Sequence, residues 1–394
     1  MTHFEPFALD DKILGQGFEI SQTLDQLRLE VFPPDARKTL KRFPVQEVAT
    51  YLGTSVNNLK RLHLEGKGPV PEITGGGRRY YSAEQIEEAR QFLDKTGKSA
   101  SKKYVPQRRD NDKLQVIAVV NFKGGSGKTT TTAHLAQHLS LTGHRVLAVD
   151  LDPQGSLSAL HGFQPELDKN LSLYDAIRYD EERKDIQATI QKTNFPMLDI
   201  IPANIELQEF EYDTPVAMQT SNEGKTFFSR IARSLEHIDP NYDVVVIDCP
   251  PQLGYLTLTA LSAASAILIT VHPQMLDLMS MSQFLLMLGN ITRTLRDAGV
   301  AVEMDWLRYL ITRYNPSDVP QRRMVGLMET ILAQDILENP MLNSTAISDA
   351  GLTKRSLYEL ERGAVNRATY DRALDCMQTV NFEIQGLIHQ AWGR

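Results

Sequence analysis

The run Phe122-Lys-Gly-Gly-Ser-Gly-Lys-Thr-Thr130 decides the reading of this 394-residue chain. It follows the apolar stretch 116–120, which reads as a buried parallel strand, and it precedes a helical pattern from about Gly127 to Leu141. A strand, a glycine-rich turn and a helix N-terminus together make a phosphate cradle. Glycines let backbone N–H groups turn into the loop, and the helix dipole favours an anion there. Lys128 stands where a side chain reaches β- and γ-phosphates, and Thr129 where a hydroxyl meets Mg²⁺. The usual pattern has a glycine five residues before Gly127. Here that position is Phe122, and an extra lysine, Lys123, comes directly before Gly124 and Gly125.

From Leu114 onward, apolar strands alternate with helical patterns, at 116–120, 145–149, about 198–201, 244–248, 266–271 and 306–312. The alternation predicts an α/β fold, a mostly parallel sheet flanked by helices, with ligands gathered at the carboxyl ends of the strands. The second strand ends in Asp150-Leu-Asp152-Pro-Gln-Gly155, where Pro153 and Gly155 supply a turn. The fourth ends Val244-Val-Val-Ile-Asp248. A carboxylate closing an all-apolar strand suits a Mg²⁺ site reached through a water. Taken alone, such a residue is as often a helix cap.

Composition sets the bounds. With 42% apolar and 23% charged residues, the chain is an ordinary globular one, long enough for two or three domains. Cys249 and Cys376 are far apart without metal spacing, which points to a reducing compartment and no disulfide framework. No stretch approaches a membrane span, and the first residues lack a basic and an apolar leader region. A cytoplasmic protein is expected. The net charge of −7 hides an asymmetry: residues 37–109 hold sixteen Lys/Arg and seven Asp/Glu, a net of +9, which leaves −16 for the rest. A basic segment on an acidic body suggests a nucleic-acid-binding module on an enzyme, although solvated helix faces also produce such bias.

Residues 44–62 read as a helix-turn-helix. Val45, Val48, Ala49 and Leu52 share one helical face, Gly53 falls at the turn, and Ser55 caps a second helix packed through Val56, Leu59 and Leu62. That helix would offer Asn57, Asn58, Lys60 and Arg61 to a major groove. Residues 68–82 read as a β wing with Gly75–Gly77 at its tip and Arg78 and Arg79 on the return. Ser82 then caps a helix from about Ala83 to Leu93. Ahead of the module, Ile20, Leu24, Leu27 and Val31 recur at helical spacing. Such a helix either pairs with its symmetry mate, to suit a palindromic operator, or docks on the body of its own chain. Residues 97–113 are polar and aperiodic and read as a hinge. The expected division is 1–36 dimerisation helix, 37–96 winged helix-turn-helix, 97–113 linker and 114–394 nucleotide-binding domain.

Lys-Gly-Gly-x-Gly-Lys-Thr-Thr resembles the deviant Walker A loop of the ParA/MinD ATPases, and Arg78 to Ile86 resembles the wing-to-helix step of MerR-like winged helices. The long form is similar to plasmid partition ATPases that repress their own operon, and among them to the RepA proteins of repABC replicons. The resemblance implies a P-loop NTPase fold, ATP or ADP with Mg²⁺ held by Lys123, Gly124, Gly125, Ser126, Gly127, Lys128, Thr129 and Thr130, and a nucleotide-sandwich homodimer in which Lys123 reaches the partner's phosphates. It implies that Asp152 positions the attacking water near Mg²⁺, that Asp248 is the Walker B metal carboxylate, and that Asn315, with Pro316, contacts adenine. It further implies operator binding, coating of nonspecific DNA on the nucleoid, and stimulation by a ParB-type centromere-binding protein. Lys354 and Arg355 are candidates for the nonspecific DNA surface, with solvated helix surface as the plain alternative. No membrane partner is expected, because the C-terminal helix is acidic and poor in lysine. An ATP-sensing repressor with slow hydrolysis is the competing reading.

Overall fold

The computed structural model describes residues 8–31, 38–97, 104–109, 111–164, 170–297 and 303–394. Within them, the side chains of residues 24, 25, 27–31 and 295 lie outside the description. Contacts divide the chain into two compact units, the first ending at Lys38 and the second running from Thr39 to Arg394.

The first unit holds α1 (Leu9–Val31), opened by Asp10 and Asp11 where the helix dipole favours acids. Leu9, Ile13, Leu14, Phe18 and Ile20 are exposed along it. The side chains of Leu24, Leu27 and Val31, expected on its apolar face, lie outside the described residues.

The second unit begins with β1 (Phe43–Pro44), α2 (Val45–Tyr51) and α3 (Val56–Leu64). Gly53, at φ 58, makes the turn between the helices, and the Ser55 hydroxyl accepts from Asn58 N–H to cap α3. β2 (Glu72–Thr74) and β3 (Arg78–Tyr81) form the antiparallel wing. Gly76 and Gly77 take left-handed values at its tip, and β1 pairs with the far side of β3. α4 (Ala83–Thr96) opens with a reciprocal Ser82–Gln85 capping box, which satisfies two orphan donors at once.

The larger sheet contains β4 (Gln115–Val120), β5 (Val146–Asp150), β6 (Gln191–Lys192), β7 (Leu198–Ile201), β8 (Val244–Asp248), β9 (Ala266–Val271) and β10 (Trp306–Ile311). Their order is β10-β9-β4-β8-β5-β7-β6, parallel except for the edge pair β6–β7. β4, β5, β8 and β9 are buried throughout, so their near-continuous Val/Ile/Leu runs are those of strands covered on both faces. α5 (Lys128–Leu141) lies against one face and touches the long helix Arg367–Ala391. On that face the apolar core is continuous from Phe43, Val48 and Ile86 of the winged module, through Leu135 and Leu139, to Val380 and Ile384.

The residues expected as a hinge are only partly described, since 98–103 and 110 fall outside. Residues 104–109 are tied down at both ends. Asp94 accepts from Tyr104 N–H (2.7 Å), and buried Asp243 accepts from Arg108 N–H (3.0 Å). Among the described residues, no helix is long and apolar enough to cross a membrane.

Candidate functional site

β4 leads into the phosphate loop at the middle of the sheet. The Asn121 side chain donates to the Thr270 carbonyl and accepts from Lys123 N–H (2.7 Å), which ties the start of the loop to the end of β9. Gly125 and Gly127 have φ of 76° and 86°, a region that costs other residues roughly 1–2 kcal/mol. Gly127 is the N-cap of α5. The far side of the loop is latched by two strand ends. Thr270 Oγ1 lies 3.1 Å from Ser126 Oγ, Thr312 Oγ1 donates to the Ser126 carbonyl (2.7 Å), and Arg313 Nη1 donates to the Gly125 carbonyl (3.0 Å). A loop held from three sides keeps its N–H groups aimed before any anion arrives.

Above it opens a cavity of about 490 Å³. Gly124 to Thr130 form its floor, Asp152, Ser156 and Pro251 one wall, and Thr312, Arg313 and Met341 to Ser344 the other. Lys128 is buried, and its Nζ donates to the Lys123 carbonyl (3.4 Å). Burial pulls its ammonium below the ordinary lysine range, opposed mainly by the charge of Asp248.

Asp248 lies behind the floor, wholly buried, with Asp150 directly opposite on the adjacent strand. Burial, then Asp150, pushes the Asp248 carboxyl well above the usual carboxylate range, while Thr129 and Lys128 pull it down. Asp150 is likewise pushed up by burial, to about 7, although the Ser158 N–H and hydroxyl both donate to it (2.8 and 2.7 Å). Asp248 Oδ2 has no hydrogen-bond partner. A buried, unpartnered carboxylate oxygen beside a threonine hydroxyl and a second acidic strand end is a set of hard oxygen donors that fits Mg²⁺, whose charge would reverse the local pKa balance. Asp152 lines the cavity. Its backbone N–H donates to Asp150 (3.2 Å), and its carboxylate accepts from Gln154 N–H (3.1 Å).

Three expected residues stand elsewhere. Lys123 does not line the cavity; its Nζ pairs with buried Asp277 at 2.6 Å. Asn315 and Pro316 are exposed and outside the cavity wall. The Asn315 carboxamide oxygen accepts from Ser317 N–H (3.1 Å), an Asx turn that leads into the helix Val319–Leu332. The wall residues that the sequence reading missed are Ser156, Pro251, Thr312, Arg313 and Met341 to Ser344, with Ile347 and Ser348 beside them. Arg313 could have been suspected from its place two residues before Asn315. The 341–344 loop carries no motif.

In the winged module, Ser55, Asn57, Lys60, Arg61 and Arg78 are exposed, and Asn58 and Arg79 half-buried. Arg61 donates to Asn58 Oδ1 (2.9 Å), which fixes both side chains on one face of α3. Lys354 (φ 52) and exposed Arg355 follow the helix Thr345–Leu352, whose Ile347 and Ser348 line the cavity. Arg362 is neutralised by Asp371 through two contacts (2.8 and 2.5 Å).

Fold and site together define a P-loop nucleotide-binding protein with a helix-turn-helix built onto its body. Residues 114–299 match the family model described as an AAA domain, and residues 43–93 match that of the MerR HTH family of regulatory proteins. The chain belongs to the ParA family of partition ATPases, in the form that carries an N-terminal helix-turn-helix. A protein of Sinorhizobium fredii named for replication protein A is 62% identical over 99% of this chain and 96% of its own length. Chromosome partitioning protein ParA of Caulobacter vibrioides is 34% identical over 48% of this chain and 70% of its own. Among solved structures, one titled Partition Protein aligns over 97% of this chain and 99% of its own, with a TM-score of 0.65 at 18% identity, a likeness of fold. Cobyrinic acid a,c-diamide synthase from Mycobacterium smegmatis, with bound ATP analogue and magnesium, aligns over 62% of this chain and 93% of its own, with a TM-score of 0.50 at 29% identity.

Proposed function

We propose that this chain is a Mg²⁺-dependent ATPase that segregates plasmid copies and represses its own operon. The observation that carries the enzymatic part is that Lys128, Thr129 and Asp152 line one cavity whose floor is a loop with two left-handed glycines, with Asp248 buried behind that floor. Phosphoryl transfer needs little covalent chemistry, so catalysis is positioning and charge neutralisation. Loop N–H groups and Lys128 hold the phosphates. Thr129 and Asp248 would hold Mg²⁺, which when bound would supply charge neutralisation for the nucleotide's phosphates. Asp152, on the cavity wall, orients the attacking water. Lys123 completes the site of a second copy in a sandwich homodimer once it leaves Asp277. The wall from Arg313 to Ser344 offers the surface for the base, with Asn315 joining it only if its turn opens.

Residues 37–96 read operator DNA through α3 and the Arg78–Arg79 wing. Residues 114–394 form the ATPase and coat nonspecific DNA through Lys354 and Arg355, whose helix borders the nucleotide cavity. A ParB-type centromere-binding protein stimulates hydrolysis and releases the ATPase from the nucleoid in the cytoplasm. The test is turnover with nonspecific DNA and that partner: stimulation by both together supports a partition cycle. The competing reading, an ATP-sensing repressor with slow hydrolysis, draws on the intimate docking of the winged module, and predicts nucleotide-dependent promoter binding without stimulated turnover.

A further inference from the structure

The helix that opens at the phosphate loop closes against the DNA-reading module. α5 has 14 residues, so its ends are about 20 Å apart. The carbonyl of Leu141, its last residue, accepts a 2.8 Å hydrogen bond from Arg90 Nη2. Arg90 belongs to α4 of the winged module and is 2% exposed. The same guanidinium donates to the carbonyl of Tyr51, the last residue of α2 (3.4 Å), and to that of Tyr104 (3.2 Å), and it pairs with Glu87 (3.2 Å). Gly143 makes the room: it has φ 101, and a Cβ there would overlap the guanidinium.

The electrostatics run the same way. A cation sits at the C-terminal end of the helix whose N-terminal end opens at the phosphate loop, so the C-terminal end of the dipole is complemented and the N-terminal end is left to an anion in the loop. Tyr51 adds a second tie. Its ring packs on the edges of His138, in α5, and Tyr358, and its hydroxyl accepts from Gln378 (3.1 Å). A purely apolar joint can slide. A buried guanidinium with directional partners cannot, because any shift leaves charge and carbonyls unpaired. A displacement of α5 would therefore load the contacts that Arg90 makes to the end of α2.

We propose that Arg90 is a positioning residue that transmits nucleotide occupancy at one end of α5 to the helix-turn-helix at the other. The proposal rests on the nucleotide site described above. It is tested by backbone hydrogen exchange of the full chain, with and without Mg²⁺ and a non-hydrolysable ATP analogue. In the wild type, protection of residues 123–131 should be accompanied by a change of at least about twofold in the exchange of residues 45–64. In Arg90→Met, loop protection should persist and the response of 45–64 should vanish. Gly143→Ala attacks the same contact from the α5 side and should do the same. Arg90→Lys, which keeps the charge and loses the planar fork, serves if Arg90→Met fails to fold. Loop protection with unchanged exchange at 45–64 in the wild type overturns the proposal and leaves the nucleotide site standing. A response that survives in a folded Arg90 variant also overturns it. No loop protection in the wild type overturns the nucleotide site and this proposal with it.

Discussion

Lys123 and Asp277 form an ion pair of 2.6 Å within one chain. Asp277 is buried at the start of the helix Met275–Asp297, and its other carboxylate oxygen lies 3.6 Å from His272 Nδ1. A lysine held there cannot at the same moment serve a partner's phosphates, so the proposed sandwich dimer would have to break this pair. Asp277→Asn should lower the protein concentration needed for nucleotide-dependent dimers by about 25-fold, because each chain of the dimer gives up one pair worth ~1 kcal/mol with its lysine half exposed. Sedimentation velocity with Mg²⁺ and a slowly hydrolysed ATP analogue measures this. An unchanged threshold would show that the pair does not restrain Lys123.

The two loop lysines should separate on substitution. Lys128→Gln removes a buried cation at the cavity floor and should weaken nucleotide binding at least tenfold. Lys123→Gln, outside the cavity wall, should leave binding by the isolated chain within about twofold while abolishing stimulated turnover. Titration with a fluorescent ATP analogue distinguishes them. Equal loss of affinity in both variants would sink the assignment of Lys123 to a partner's nucleotide.

Acid should unfold the chain through its buried histidines. Burial holds His134 down to about 4 and His138 down to about 3, against an ordinary value of 6.5. Below pH 6.5 the unfolded chain takes up protons that these folded imidazoles refuse, so their contribution to stability is lost as pH falls from 6.5 toward 4. Asp150, raised by burial to about 7, acts in the opposite sense, holding its proton in the fold while the unfolded carboxyl gives it up. The melting temperature of the nucleotide-free chain should fall over this window, and fall less steeply in His138→Gln. Identical slopes in thermal scans at pH 4.5, 5.5 and 6.5 would contradict the assignment to His138.

Phosphate contacts by the wing should show in salt dependence. Arg78→Ala should reduce the magnitude of the slope of log K against log salt by about 1, equally for promoter and unrelated DNA. Asn57→Ala should weaken promoter binding more than unrelated DNA. Fluorescence anisotropy between 50 and 200 mM salt reads both. A change in sequence preference from the Arg78 variant would reverse the roles given to wing and helix.

Much of this was legible because period and motif carry it. The apolar strands of the large sheet lie within a residue or so of their expected places, and Gly53, Ser55, Gly75–Gly77 and Ser82 mark the turns and caps of the winged module where the backbone needs them. The two-residue strands Phe43–Pro44 and Gln191–Lys192 were not legible, since two residues display no alternation and their pairing is set by partners elsewhere in the chain. The cavity wall at Met341 to Ser344 escaped for a related reason. It is placed by tertiary bonds, Met341 N–H to the Ile311 carbonyl (2.8 Å) and Asn343 N–H to the Tyr314 carbonyl (2.9 Å), and leaves no local pattern. Nor does charge counting reveal that Arg90, one of many basic residues in the N-terminal segment, is buried.

The most direct measurement is steady-state ATP hydrolysis by the full chain with Mg²⁺, wild type beside Lys128→Gln, with and without nonspecific DNA and a centromere-bound ParB-type protein. Slow basal turnover that rises severalfold with DNA and partner together, and is absent in Lys128→Gln, is the expected result. Turnover that is indifferent to Lys128, or that DNA and partner leave unchanged, would contradict a stimulated ATPase built on this loop.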